Sequence, residues 1–181
     1  MLDQLSGGRF ELGVGRGQSP YELGCFSIGH MEARKRYAEA LQVILQGLTN
    51  PVLNYDGKYY SYTDVPMALQ CVQKPHPPLW SCVTRPASAA WPAKNNVNPV
   101  MNGPSPYVRT IVDSYMTEWK AAHGDNAVPA KLGTTRLIHV ADSAATAEET
   151  ARRAYVIWFD SNAELFRRYG TLPLHFPSTY D

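Results

Sequence analysis

Arg9-Phe10-Glu11-Leu12-Gly13-Val14-Gly15-Arg16-Gly17 is the stretch on which the fold turns. Residues 9–15 read as a strand, and a Gly- and Ser-containing loop then leads to a helix of about 17 residues, 32–48. Tyr37, Leu41, Ile44, Leu45 and Leu48 fall on one face of that helix, while Arg34, Lys35, Glu39, Gln42 and Gln46 fall away from it. A short apolar strand followed by an amphipathic helix is one β/α unit, and its recurrence along a chain is the pattern of a largely parallel sheet.

The pattern does recur. Residues 52–60 interrupt it with a β-hairpin, because Asp56-Gly57 between aromatic-rich flanks suits a two-residue turn. Residues 79–83 form the second parallel strand, entered through Pro75-His76-Pro77-Pro78, and Pro86 opens a helix running to about residue 94. Residues 98–101 form a third strand, which Pro99 places at an edge or makes late to begin. Ser105 as N-cap and Pro106 then start a helix that ends near Gly124, with Val108, Ile111, Val112, Tyr115 and Trp119 as its buried stripe. Residues 134–140 form a fourth strand. The helix after it is capped by Ser143 or by the Thr146/Glu149 pair and turns Ala151, Ala154, Tyr155, Trp158 and Phe159 inward. Beyond Arg168 no periodic pattern survives into the proline-rich residues 172–181.

A closed eight-stranded barrel takes about 250 residues and eight such units. The chain has 181 residues and about four units, so the expectation is an α/β fold: part of a (β/α)8 TIM barrel with a hairpin insertion, one domain over residues 1–181, truncated at both ends. Two open sheet edges would follow, each a row of unpaired backbone groups that invites homo-oligomerisation.

Composition narrows the partners. With 44% hydrophobic residues, 18% charged residues and a net charge of +1, the chain lacks both the basic excess of nucleic-acid binders and the polarity of disordered chains. No apolar run approaches the ~18 residues of a membrane span. Cys25, Cys71 and Cys82 are odd in number without CxxC spacing, and no signal-peptide pattern opens the chain, so the expected compartment is the cytoplasm. Five histidines show no metal-ligand spacing, and no metal site is expected.

Two segments suit an anion. Gly15-Arg16-Gly17 at the end of the first strand offers backbone N–H groups and a guanidinium that can grip phosphate; a glycine-rich turn with a solvated arginine would read the same. Gln18 stands where a dinucleotide fingerprint needs its third glycine, and the helix waits until about Met31, so that fingerprint is rejected. Thr84-Arg85-Pro86-Ala87-Ser88 lies at a helix start, where dipole and hydroxyls favour phosphate, or where Thr84 is merely the cap. In a parallel β/α sheet both segments lie at the carboxyl edge, where ligands bind. His139 in its strand reads as a hydrogen-bonded structural residue, Cys82 as a buried inert thiol, and Tyr55, Tyr59, Tyr60 and Tyr62 as either a ligand mouth or cross-strand pairs.

Taken together, Leu2-Asp3-Gln4-Leu5-Ser6-Gly7-Gly8 running into Arg9–Gly17 resembles the middle of the bacterial luciferase-like, flavin-dependent monooxygenase family. So do Glu32-Ala33-Arg34, Arg36-Tyr37, Glu39-Ala40-Leu41, Asp56-Gly57-Lys58-Tyr59-Tyr60 and Gln73-Lys74-Pro75-His76-Pro77-Pro78-Leu79-Trp80, in the family's order. The resemblance implies a β/α barrel, here from about its fourth strand to its seventh and the helix after it. It implies reduced FMN, delivered by a separate reductase, which with dioxygen oxidises a small organic substrate. Arg16 would hold the FMN phosphate, Gly15, Gly17 and Gln18 would shape the backbone around it, and Thr84, Arg85 and Ser88 would form a second phosphate-side segment.

Where the family has serine-proline at that helix start, this chain has Arg85-Pro86 ahead of Ala87-Ser88. The resemblance assigns no catalytic residue, since the family's first three strands, which carry its active-site histidine, have no counterpart, nor has its eighth strand. Little or no turnover is expected of the chain alone. Some relatives use a deazaflavin for hydride transfer, and a non-catalytic flavin- or phosphate-binding half-barrel, or a partner subunit, is the rival from outside enzymology.

Overall fold

The computed structural model describes residues 1–170 and 177–178; the reading of residues 172–181 as pattern-free therefore lies almost wholly outside the described residues. The elements are α1 (Leu2–Leu5), β1 (Leu12–Val14), α2 (Pro20–Cys25), α3 (His30–Thr49), β2 (Val52–Asp56), β3 (Ser61–Pro66), β4 (Leu79–Cys82), a 3-10 turn (Pro86–Ser88), α4 (Ala90–Lys94), β5 (Asn98–Met101), α5 (Ser105–His123), β6 (Gly133–Thr134) and α6 (Ala144–Arg167). Strands β1-β4-β5-β6 form one wholly parallel sheet, and β2-β3 form the inserted antiparallel hairpin. This is the expected partial β/α barrel.

One face of the sheet is packed and the other is open, because in-register residues of parallel strands share a face. Leu79, Val83, Pro99 and Met101 are buried on the helix side, where Val83 and Met101 join Ala89, Ala93, Val108, Ile111, Tyr115 and Trp119 in the core. The α5 stripe is the expected one. Tyr115 is fully buried and stacks on Trp119 at a centroid distance of 5.9 Å, and burial pushes its phenol up to about 12. On the other face, Gly13, Trp80 and Asn98 share one row and Cys82, Val100 and Gly133 another. A Cβ on Gly133 would stand 2.9 Å from the Trp80 ring, so only glycine leaves room for the indole.

Several expectations are corrected. Of the two alternatives for Pro99 the edge is the one corrected: β5 lies between β4 and β6, and its pairing with β6 begins late, at Val100 and Gly133, so Pro99 costs no ladder bond there. The Asp56-Gly57 turn is longer than two residues: Gly57 N–H donates to the Tyr60 carbonyl at 2.9 Å, and the second arm begins at Ser61. Its geometry is set by Glu39, expected to point away, whose Oε1 accepts from the N–H groups of Tyr59 and Tyr60 at 2.7 and 2.8 Å. The fourth strand shrinks from residues 134–140 to two residues, since its neighbour β5 ends at Met101 and the last ladder bond is Thr135 N–H to the Met101 carbonyl.

Helix ends also differ. Pro104, not Ser105, occupies the N-cap of α5. Of the two alternatives for α6, Ser143 is the cap, accepting from Thr146 N–H at 3.2 Å. Ile44 and Ala154, expected inward, are exposed. α6 packs mainly against α2, to which Ser19 Oγ ties it by donating to the Leu165 carbonyl at 3.3 Å. Short helices α1 and α2 had no periodicity to reveal them. Asp3 of α1 is buried and accepts from Val72 N–H at 2.7 Å and from the backbone and side chain of Gln73 at 3.0 and 2.8 Å.

Candidate functional site

The register Leu12 to Leu79 and Val14 to Ser81 brings the ends of β1 and β4 side by side, so the two segments expected to meet an anion leave the sheet from adjacent strands at its carboxyl edge. Gly15, Arg16, Gly17 and Gln18 form the loop after β1 and are exposed. Arg16 makes no hydrogen bond or ion pair among the described residues. Gly17 turns the chain at φ +84°, a conformation that disfavours any side chain, and a Cβ there would also press on Leu23 at 3.3 Å. The loop stops at Ser19, whose hydroxyl caps α2 by accepting from Tyr21 and Glu22 N–H groups while the Glu22 carboxylate accepts from Ser19 N–H. A short helix thus opens at Pro20, ahead of the expected one, which begins as α3 at His30.

The second segment is placed as expected and built differently. Arg85, not Thr84, occupies the cap position, its side chain makes no cap bond, and only a three-residue 3-10 turn follows. Ser88 is exposed, and its N–H is used in that turn, donating to the Arg85 carbonyl at 2.9 Å. Thr84 contributes its carbonyl rather than its hydroxyl, accepting from Tyr107 Oη at 2.7 Å, and Ser114 Oγ donates to the Pro86 carbonyl at 3.0 Å. Both bonds fix the β4 loop to α5. The exposed Arg85 guanidinium and the Thr84 and Ser88 hydroxyls make no hydrogen bond among the described residues.

Two further residues at this edge escaped the sequence reading. Asn102 follows β5, and its Oδ1 is buried without a hydrogen-bond partner among the described residues. Leaving a buried acceptor unpaired costs about 1–3 kcal/mol, and at the mouth of a sheet it marks a place for a donor. Arg136 follows β6 and donates to the Gly103 carbonyl, Thr134 Oγ1 and the Thr135 carbonyl at 3.2, 2.6 and 2.9 Å, and to Ser105 Oγ at 3.4 Å. It ties the loops after β5 and β6 together. Nothing in the sequence separates Asn102 from an ordinary loop asparagine, and Arg136 was hidden inside the expected strand 134–140, emerging past a strand only because β6 stops at Thr134.

At the amino end of the open face, Glu11 accepts from Lys131 Nζ at 2.6 Å and from the Trp80 indole N–H, and Asn98 Oδ1 accepts from Lys131 N–H at 2.9 Å. The Lys131 ammonium first, and then the indole, hold the Glu11 carboxyl below its ordinary range. This layer closes the end of the sheet opposite the anion loops.

The remaining candidates do not join the site. Cys82 is exposed on the open face rather than buried, yet desolvation pushes its thiol up, which is not how a nucleophile is activated. His139 is exposed beyond β6 and makes no hydrogen bond among the described residues. The hairpin tyrosines are structural: Tyr55 opposes Tyr62, Tyr55 Oη donates to Gln42, and the Arg36 guanidinium lies 4.6 Å over the Tyr59 ring. Among the described residues no three His, Cys, Asp or Glu side chains gather to hold a metal ion, and no helix is long and apolar enough to cross a membrane.

A family model described as luciferase-like monooxygenase matches residues 1–180. The chain is 37% identical over 182 residues to the uncharacterized protein y4wF of Sinorhizobium fredii, covering 100% of this chain and 53% of that protein. It is 29% identical to 4-hydroxyprotoasukamycin monooxygenase of Streptomyces nodosus subsp. asukaensis, covering 96% and 48%. The chain thus spans about half the length of these relatives. Among solved structures it is similar to the monooxygenase RslO1 of Streptomyces bottropensis, with a TM-score of 0.72, 23% identity, and 93% and 50% of the two chains covered. It is also similar to the oxygenating constituent of 3,6-diketocamphane monooxygenase from Pseudomonas putida, solved with FMN (TM-score 0.63, 16% identity, 93% and 51% covered). An F420-dependent secondary alcohol dehydrogenase gives a TM-score of 0.65 at 14% identity, with 99% and 52% covered.

Proposed function

Since the chain belongs to the luciferase-like monooxygenase family, we propose that it carries the phosphate-binding part of a flavin-dependent oxidoreductase that uses reduced FMN and dioxygen to oxidise a small organic substrate. The observation that carries this reading is Arg16, an exposed guanidinium without a protein partner among the described residues, flanked by two glycines at the carboxyl end of β1 and beside the end of β4. Arg16 would grip the phosphate with parallel hydrogen bonds, and Gly15 and Gly17 would let the backbone approach it. Arg85 would add a second cation from the neighbouring loop, with Gln18, Thr84 and Ser88 around them. The unpaired Asn102 Oδ1 suits a donor of the cofactor or substrate. When bound, the flavin supplies the redox chemistry with dioxygen, and a separate reductase would deliver it reduced; the protein supplies binding, orientation and exclusion of water.

The same phosphate chemistry serves a deazaflavin, which the fold-level similarity to the F420-dependent dehydrogenase brings forward as the second reading. Parallel titrations of the purified chain with FMN and with the deazaflavin cofactor, followed by fluorescence, separate the two. Tighter FMN binding supports the first reading, tighter deazaflavin binding the second, and no binding of either by a folded chain overturns both. Turnover by the chain alone should be weak or absent, and substrate-dependent oxygen uptake by it would contradict that expectation.

A further inference from the structure

We propose that Asn102 is a self-modification site: its side-chain amide closes on the backbone nitrogen of Gly103, and the cyclic imide opens in water to aspartate or isoaspartate, placing a carboxylate at the carboxyl edge of the sheet. The chain has eight asparagines, and Asn102 is the one followed by glycine. With no Cβ to shield it, the Gly103 nitrogen is the least hindered backbone nucleophile such a closure can meet.

A fold protects an asparagine by tying up its side chain or the N–H that follows it. Asn95 Nδ2 donates to the Trp91 carbonyl at 2.8 Å, and Val97 N–H, which follows Asn96, donates to the Pro92 carbonyl at 2.9 Å. Asn98 Oδ1 accepts from Lys131 N–H at 2.9 Å, and Pro99 after it has no N–H to offer. The acidic counterpart Asp56-Gly57 is held as well, since Gly57 N–H donates to the Tyr60 carbonyl. Neither protection reaches Asn102. Its side-chain amide and the Gly103 N–H make no hydrogen bond among the described residues, so turning the amide toward that nitrogen breaks none. Gly103 lies half-buried just past β5 at φ +116°, and Arg136 holds its carbonyl at 3.2 Å but not its nitrogen.

Closure forms the bond from Gly103 N to Asn102 Cγ and breaks the bond from Cγ to Nδ2, which leaves as ammonia with the Gly103 amide proton. Water then adds to one imide carbonyl or the other, giving aspartate or isoaspartate. Cys82 pairs with Val100, so Thr84 and Asn102 leave adjacent strands at the same level, and the new charge arises beside the segment that carries Arg85. A carboxylate there competes with phosphate for the same cations. That consequence rests on the phosphate reading of the site; the ring closure does not.

The purified chain, incubated in mildly alkaline buffer that favours deprotonation of the attacking nitrogen, is mapped with trypsin beside an unincubated sample and a urea-unfolded one. Residues 95–109 are released as one peptide between Lys94 and Arg109, which makes Asn95, Asn96 and Asn98 internal controls. The expected result is loss of the Asn102 amide from the folded chain at a rate comparable with the unfolded one, with isoaspartate detected there by enzymatic methylation and the three neighbours intact. Asn102→Gln, one methylene too long for the same ring, should stop it. An Asn102 amide that persists in the folded chain while the unfolded chain loses it overturns the proposal, because the fold then shields the site. For the consequence, Asn102→Asp should bind FMN more weakly than wild type with riboflavin binding unchanged, and equal FMN binding overturns that part. A wild type that converts at Asn102 yet binds no FMN would sink the cofactor reading with the consequence drawn from it, and leave the ring closure standing.

Discussion

Lys131 Nζ donates to Glu11 Oε1 at 2.6 Å, although β4 and β5 stand between the strands these two residues introduce. In a flat sheet those outer strands would lie roughly 14 Å apart; the twist and curl of a parallel β/α sheet bring their ends within reach. The Trp80 indole sits between them and donates to the other carboxylate oxygen. One end of the sheet is thereby tied across its open face, while the carboxyl end keeps Arg16 and Arg85 exposed.

Because Glu11 is held below its ordinary pKa by Lys131 and then Trp80, its contribution to stability is present above the unfolded carboxylate value and lost as pH falls through the lowered one. Lys131→Met should raise the Glu11 pKa toward its ordinary value, read by NMR titration of the side-chain carboxyl. An unchanged midpoint would mean the ion pair does not persist in solution.

Asp3 obeys the same sign for a different reason. Desolvation pushes its carboxyl up, but the side-chain bond from Gln73 and the backbone bonds from Gln73 and Val72 together outweigh it and leave the pKa lowered. Thermal melts of the wild type should therefore lose stability through the acidic carboxylate range, and Asp3→Asn should flatten that dependence while lowering stability at neutral pH. Parallel pH profiles for the two proteins would show that α1 is not docked on residues 72–73.

Glu39→Ala should cost about 2 kcal/mol, since a carboxylate accepting two backbone N–H groups at 2.7 and 2.8 Å is removed and both donors are left unpaired. Chemical denaturation measures the loss, and hydrogen exchange should place it at Tyr59 and Tyr60. Protection unchanged at those amides would contradict the assignment.

In the core, Ile111→Ala should destabilise by about 3 kcal/mol, because the side chain is fully buried under the sheet. Tyr115→Phe, although equally buried, should cost less than about 1 kcal/mol, since its hydroxyl reaches the Val97 carbonyl only at 3.4 Å. Denaturant midpoints in the reverse order would mean that the polar contact, not packing, holds α5.

Much of this architecture was legible because period carries it. The 3.6-residue stripe of Val108, Ile111, Tyr115 and Trp119 announced α5 and its buried face, and the β/α pattern announced the carboxyl edge at which the Gly15–Gly17 loop and the Thr84–Ser88 segment leave adjacent strands. What escaped is decided by neighbours rather than by period. α1 and α2 are too short to show a stripe, and α1 is held by Asp3 reaching residues 69 and 70 positions away. Residues 136–140 have a strand's sequence but no strand beside them among the described residues, and Pro99 left an edge position and a late start equally open because its register with β6 could not be read. At the site, Asn102 is distinguished only by an acceptor left unpaired once the chain is folded.

Whether Arg16 binds a flavin phosphate is read by a fluorescence titration of wild type and Arg16→Ala with FMN and with riboflavin, which lacks the phosphate. The prediction is that the substitution weakens FMN binding by about 1.5–3 kcal/mol, the range of a charged hydrogen bond, and leaves riboflavin binding unchanged. An equal loss for both ligands, or a folded wild type that binds neither, would contradict it.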